Sequence, residues 1–289
     1  MLLRWLVGNY LRQSAESAAA RTFAAAARIA RPGDRSVRIP DHYRTAVAFG
    51  LAIESDGFRA ILDGPATYRG DAGTEHWGPL NGMPIRVVET GAGADRAARG
   101  ILDAIGRSKP DWVVSAGFAT ALSAELGRGD LILAERVRGE SGAELRIPFH
   151  LPESSIRETP RLHVGSLVSL SNVLTTPDAR REAAARFGAI AADQDTMGVA
   201  EICARERIRF LSVRIVTDAI DDILPPEVAG WLSRKSVAGK LGVAAGTVFK
   251  DPERVASLWR LADTARAASR RLAGFLTGIV RQLGPEPSR

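Results

Sequence analysis

Cysteine is almost missing from this 289-residue chain. Cys203 stands alone, which excludes an internal disulfide and any structural zinc site built on thiolates. It falls in the apolar run GVAEIC, where a buried packing thiol is expected rather than a nucleophile. Histidine is also scarce. The four, His42, His76, His150 and His163, are scattered without metal-ligand spacing, so neither a metal nor another cofactor is expected. Long apolar runs are lacking as well: Arg4, Arg12 and Glu16 interrupt the N-terminal stretch before it reaches the roughly 20 residues of a spanning helix. The same stretch makes a poor signal peptide, and a cytoplasmic protein is expected.

The net charge of +6 is deceptive. The first 44 residues hold eight arginines against Glu16, Asp34 and Asp41, leaving the rest close to neutral. A nucleic-acid binder would spread its basic residues over the folded surface with aromatics between them, so no nucleic-acid partner is expected. Hydrophobic residues make up 45% and charged ones 25%, enough apolar material for a substantial soluble core.

Two parts of unequal size follow. Residues 1–44 read as an amphipathic helix and a linker: Leu3, Leu6, Val7, Tyr10 and Leu11 form a helical stripe, an Ala-rich run continues it to Ala30, and ARPGDRSVRIPDH breaks it. The helix over residues 1–30 suits packing on its own domain or a second subunit, or peripheral contact with a membrane or another partner. Residues 45–289 alternate short apolar runs with helical patterns. TAVAFGLAI, IRVVET, DWVVSAGF, DLILAERV, HVGSLVSL and RFLSVRIVTD read as strands, ADRAARGILDAI and PDARREAAARFG as helices. That rhythm predicts an α/β domain: three α/β/α layers around a central mixed, mainly parallel sheet, plus the N-terminal helical extension. The C-terminal stretch from Asp251 predicts a long helix with Val255, Leu258, Trp259 and Ala262 on one face.

Ligands of open α/β sheets bind beyond the carboxyl ends of strands. Standing there are Glu54 after TAVAFGLAI, with Asp56 two residues on, Gly91-Ala92-Gly93 after IRVVET, Gly117-Phe118-Ala119 after DWVVSA, and Asp218 after RFLSVRIVT. Taken singly these have ordinary readings, as tight turns, a first-turn carboxylate or helix caps, and Asp193 and Asp195 are N-cap candidates too. Together they outline a polar rim over an apolar floor, a pocket for a small molecule.

Several segments also share a known pattern. VVSAGFATALSAELGRGDLILAERV, DQDTMGVAEIC and VRIVTD resemble, in order and spacing, the Gly-rich turn, DMExxAxAxxC and VRxISD segments of the nucleoside phosphorylase and nucleosidase superfamily. The similarity spans roughly Thr45 to Pro225. It implies breakage of the N-glycosidic bond of a purine nucleoside or thionucleoside, as in the methylthioadenosine and adenosylhomocysteine nucleosidases of that superfamily, and a homo-oligomer. By this resemblance Asp218 assists the departing purine at N7, Glu54 activates water with Asp56 as the fallback, and Arg214 steers the carboxylates and nucleophile. Asp195 holds the ribose hydroxyls, with Gln194, Gly91, Gly93, Gly117, Phe118 and Val173 also on the substrate. Arg214 is expected to face Asp195 and Glu54. Asp195 stands where the pattern has the longer Glu, and Thr120-Ala121 replaces its second glycine. The turn Gly117-Phe118-Ala119 lacks the serine that phosphate-using members present, which favours hydrolysis. Phosphorolysis on the same scaffold, and a catalytically degenerate nucleoside-binding or assembly module, are the alternatives.

Overall fold

A computed structural model of the chain describes residues 29–30, 43–149, 159–224 and 252–283, without the side chains of 29–30 and 252–261. Most of the expected N-terminal helix and linker, and the side chains of Val255, Leu258 and Trp259 on the expected C-terminal face, lie outside what is described. One described piece of the extension departs from expectation. Ile29–Ala30 is a strand, β1, which runs parallel to Thr67 and Tyr68 and covers a sheet edge that would otherwise expose unpaired backbone groups.

Next comes β2 (Thr45–Phe49), buried at every position. Its alternating side chains serve two cores: Val47 and Phe49 join the large cluster with Val114, Ile215 and Leu272, while Ala46 and Ala48 join Tyr43, Ile101, Val199 and Cys203. Helix α1 (Ala52–Arg59) follows at once. The run GLAI, expected to continue the strand, is instead a turn and a helix start, because the Glu54 carboxylate reaches back to accept the Leu51 N–H at 2.8 Å.

Strands β3 (Ala66–Gly70), β4 (Gly73–Leu80) and β5 (Met83–Glu89) form an antiparallel meander whose last member pairs parallel with β2. Helix α2 (Ala94–Arg107) returns the chain to β6 (Trp112–Ala121). Then come β7 (Leu131–Gly139), the short β8 (Glu144–Arg146) and β9 (Leu162–Ser169). Helix α3 (Pro177–Phe187) carries the expected punctuation: Thr176 caps the Ala179 N–H, Pro177 opens the first turn, and Gly188 closes it in the left-handed region. The chain continues through β10 (Ala191–Asp193), α4 (Thr196–Arg205), β11 (Arg209–Asp218) and α5 (Pro252–Gln282).

All eleven strands belong to one mixed sheet, in the order β1-β3-β4-β5-β2-β6-β10-β9-β7-β11, with β8 on β7. Because β11 also pairs with β6, the second half curls into a closed ring, β6-β10-β9-β7-β11, fused to an open sheet. Parallel and antiparallel pairings are nearly balanced, so the sheet is less dominated by parallel strands than expected. In the open half the layers are clear, with α2 and α4 over one core and α1 and α5 over the other. No helix among the described residues is long and apolar enough to cross a membrane.

Cys203 is fully buried in the α2/α4 core, and burial pushes its thiol up to about 12. A protonated, inaccessible thiol makes no nucleophile.

Helices α1 and α5 are joined by one hydroxyl. Buried Ser269 accepts the Gly57 N–H at 2.8 Å and donates to the Glu54 carbonyl at 3.0 Å. Ser269→Ala leaves both groups without this partner, and a loss of about 1–3 kcal/mol is expected in chemical denaturation.

Candidate active site

Strands β2 and β6 run side by side only from Thr45/Trp112 to Ala48/Ser115, whereas β6 continues along β11 as far as Thr120. Gly117 and Phe118 therefore lie inside β6, not in a turn after it as expected. Between Ser115, where β2 ends its pairing, and Thr120, where β10 begins its own, that side of β6 has no strand partner, and the Phe118 N–H donates to Glu54 Oε1 at 2.8 Å. With the Leu51 N–H on Oε2, this gives the buried Glu54 carboxylate a backbone donor on each oxygen. Asp56, by contrast, faces outward and pairs with Arg59.

The DQD segment divides its labour. Asp193 ends β10, buried, and accepts from Ser169 Oγ at 2.6 Å, from the Thr196 N–H at 3.0 Å, from the Thr196 hydroxyl and from Arg214 Nε at 2.8 Å. Gln194 turns aside and donates to the Ser171 carbonyl at 3.0 Å. Asp195 occupies the N-cap position of α4 without capping it. Its Oδ1 instead accepts the Gly93 N–H at 2.5 Å.

Gly93 can offer that N–H because its φ of 106° and the φ of 82° at Gly91 fold the segment after β5 into a turn. On the other side Asp195 Oδ2 occupies space that only a glycine leaves open, since a Cβ on Gly50 would stand 2.2 Å from it and 3.3 Å from Glu54 Oε2. Gly50 is thus the shared wall of the two carboxylates.

Arg214 departs from expectation. Fully buried on β11, it is bonded to Asp193 rather than to Asp195 or Glu54: Nη2 lies 2.6 Å from Asp193 Oδ2 and donates to Ser115 Oγ at 2.8 Å and Thr196 Oγ1 at 2.7 Å. Asp193, at the end of β10, meets the guanidinium through Nε and Nη2, although β10 and β11 are not themselves paired. Only Nη1 is left without a partner. It and Glu54 Oε1 lie 2.9 and 2.8 Å from the point where a Gly117 Cβ would stand, so both border the gap beside β6.

Asp218 ends β11, opposite Thr120, and accepts from Thr217 Oγ1 at 2.8 Å. Val173 is half-buried on the loop between β9 and α3. The fold thus gathers Glu54, Asp195, Arg214, Gly93, Gly117 and Phe118 around one spot, with Asp218 at the end of the neighbouring strand. Gly91 shapes the turn, while Gln194 and Val173 lie toward the loop that follows β9. The sequence reading missed Gly50, Ser115, Thr196 and the ion-pair role of Asp193. Only Asp193 left a trace, as the first acid of DQD.

Three carboxyls here hold protons more tightly than usual. Burial raises Glu54 against the pull of the Phe118 and Leu51 N–H groups and of Arg214. Asp195 is pushed up to about 7 by burial and by the charges of Glu54 and Asp193. Burial also raises Asp218, opposed by the Thr217 hydroxyl and the Arg180 charge. Carboxyls of raised proton affinity suit general acid and base roles. Among the described residues no group of His, Cys, Asp and Glu is arranged to hold a metal ion.

Residues 62–280 match the family model of the phosphorylase superfamily, and the chain belongs to that superfamily. Among curated proteins it is 25% identical to a 5'-methylthioadenosine/S-adenosylhomocysteine nucleosidase of Baumannia cicadellinicola, over 50% of this chain and 73% of the relative. A nucleosidase of the same description from Chromohalobacter salexigens is 22% identical over 61% and 84%. Among solved structures, that of 5'-methylthioadenosine/S-adenosylhomocysteine nucleosidase from Neisseria meningitidis in complex with methylthio-immucillin-A superposes with a TM-score of 0.64 at 17% identity, covering 83% of this chain and 99% of that one.

The proton affinity of Asp195 has a consequence for stability. A carboxyl whose value rises from 3.8 to about 7 on folding binds its proton more tightly when folded, so its contribution is most favourable below pH 3.8 and is lost as pH rises to 7. Asp195→Asn, which keeps an acceptor for Gly93, should melt higher than the parent at pH 8, with the gain shrinking toward pH 4.

Proposed function

We propose that this protein hydrolyses the N-glycosidic bond of a purine nucleoside or thionucleoside such as methylthioadenosine or adenosylhomocysteine. One observation carries the reading: Glu54 is held by two backbone N–H groups beside a second carboxylate, Asp195, with a third carboxyl, Asp218, at the end of β11. The nucleosidases among its relatives support the substrate class.

The chemistry follows from that placement. As the bond between the anomeric carbon and the base nitrogen breaks, its electron pair leaves with the base and positive charge grows on the sugar. Asp218 gives its proton to the base at N7. Water adds to the anomeric carbon and loses a proton to Glu54, so free base and free sugar leave together. Asp195, fixed by Gly93, offers its other oxygen to the ribose hydroxyls, and its negative charge opposes the positive charge on the ring. Arg214, neutralised by Asp193, orients these groups through Nη1 and keeps Glu54 from becoming too basic.

Water is a better nucleophile than phosphate for this site. A phosphate dianion would stand beside Glu54 and Asp195, and Arg214 already has its counter-ion. Gly117-Phe118-Ala119 supplies no hydroxyl to hold it.

Chromatography of adenine released from methylthioadenosine, adenosylhomocysteine and adenosine, and of hypoxanthine from inosine, tests the reading. Release independent of phosphate is expected. Release that requires phosphate would make the protein a phosphorylase, and none from any substrate would leave a binding module. Asp218→Asn and Glu54→Gln should each lower kcat by about 10²- to 10⁴-fold while binding persists. Full activity in Asp218→Asn would remove that residue from the mechanism.

A further inference from the structure

Arg180 on α3 is completely buried, yet its hydrogen bonds all go to backbone carbonyls. Nη1 donates to Ala219 at 2.8 Å, to Ile220 at 3.4 Å and to Asp222, and Nη2 donates to Leu174 at 3.1 Å. Taking a guanidinium out of water is costly, and carbonyl dipoles alone do not neutralise it. The carbonyls belong to two separate segments. Leu174 lies on the loop from β9 to α3 that carries Val173, and Ala219 to Asp222 directly follow Asp218. A second tie joins the same segments, since the Leu224 N–H donates to the Thr175 carbonyl at 3.0 Å.

Several charged groups face Asp218: Arg180 from α3, Asp222 from the segment that follows, and Arg128 from the loop before β7. Arg128 is paired with Asp222 at 2.8 Å, and that Asp222 carboxylate also accepts the Ala219 N–H at 2.6 Å. Their charges largely cancel, which leaves Arg180 as the cation without a bonded counter-ion in this group.

We propose that Arg180 is a positioning residue for Asp218: one buried guanidinium ties the segment after Asp218 to the one bearing Val173, fixing the slot for the purine between them, and sets its charge beside the proton-donating carboxyl. The proposal rests on the hydrolytic reading for the role of Asp218. When Asp218 gives up its proton it becomes an anion, and a fixed cation in a dry site favours that change without having to reorganise. The same contacts hold both sides of the slot, so the base meets the carboxyl in a fixed orientation.

Two variants separate charge from geometry. Arg180→Met removes both. Arg180→Lys keeps the charge, but its three N–H donors sit on one atom and cannot span the four carbonyls. Carboxyl 13C NMR, assigned with Asp218→Asn, follows the titration of Asp218 whether or not turnover occurs, and kcat and KM for base release are measured beside it. In Arg180→Met the Asp218 midpoint should rise by about one pH unit or more, with kcat down and KM up. In Arg180→Lys the midpoint should stay near that of the parent while KM rises. If the Met variant does not fold, Arg180→Gln, which removes the charge but keeps N–H donors for the carbonyls, takes its place with the same expected rise of the midpoint.

An unmoved midpoint in a folded Met variant that has lost only thermal stability would overturn the electrostatic half. A Lys variant with the parental KM would overturn the geometric half. If the parent protein releases no base, the hydrolytic reading fails, and the NMR titration still decides whether Arg180 governs Asp218.

Discussion

The ion pair of Arg214 with Asp193 is the constraint on which the site depends. Both side chains are excluded from water, and each is surrounded by partners: Ser169 and Thr196 on the carboxylate, Ser115 and Thr196 on the guanidinium. Such a pair is tolerable only when nearly every donor and acceptor is used, and removal of one member would strand the other. It also fixes β10 and the start of α4 against β11. Asp195, two residues beyond Asp193, is thereby carried to the segment opened by β5 and the end of β2. One nitrogen of Arg214, Nη1, is left without a partner beside Gly117.

That arrangement shows how the short side chain of Asp195, at a position where the pattern it resembles has the longer Glu, is held in place. The loss of a methylene is met from the walls. Gly93 brings its N–H to one oxygen of Asp195, and Gly50, having no Cβ, lets the other oxygen lie against the end of β2. The result is a close group of acids whose mutual repulsion and burial raise their proton affinities. Geometry and acidity here have one origin.

Much of the scaffold was legible in the sequence because its signals were local. The Val, Ile and Leu runs of β2, β5, β6, β7, β9 and β11 are buried on one or both faces, and α3 announced itself through Thr176, Pro177 and Gly188. The meander of β3 and β4 was not legible, since ATYRG and GTEHWGPL are polar, Gly-containing segments that become strands only by pairing with β5. GLAI misled because an apolar tetrapeptide does not distinguish a strand from a turn entering a helix. The end that follows depends on one side chain, Glu54, reaching back to Leu51. In the site, the order of Glu54, Asp195 and Asp218 along the chain was readable. Which acid would take Arg214 was not, for that is decided by strand register, and Arg180 could not be read as anything but a surface residue on a strongly charged helix.

The hydroxyl that joins α1 to α5 links the two ends of the folded domain. Glu54 is translated early, yet the carbonyl of that residue and the Gly57 N–H meet Ser269 only 215 and 212 positions later in the chain. A nascent or clipped polypeptide that stops short of α5 therefore possesses the carboxylate without the brace for its helix. The helix that carries Glu54 thus acquires this support only after Ser269 has been made, so its anchoring depends on the far end of the fold.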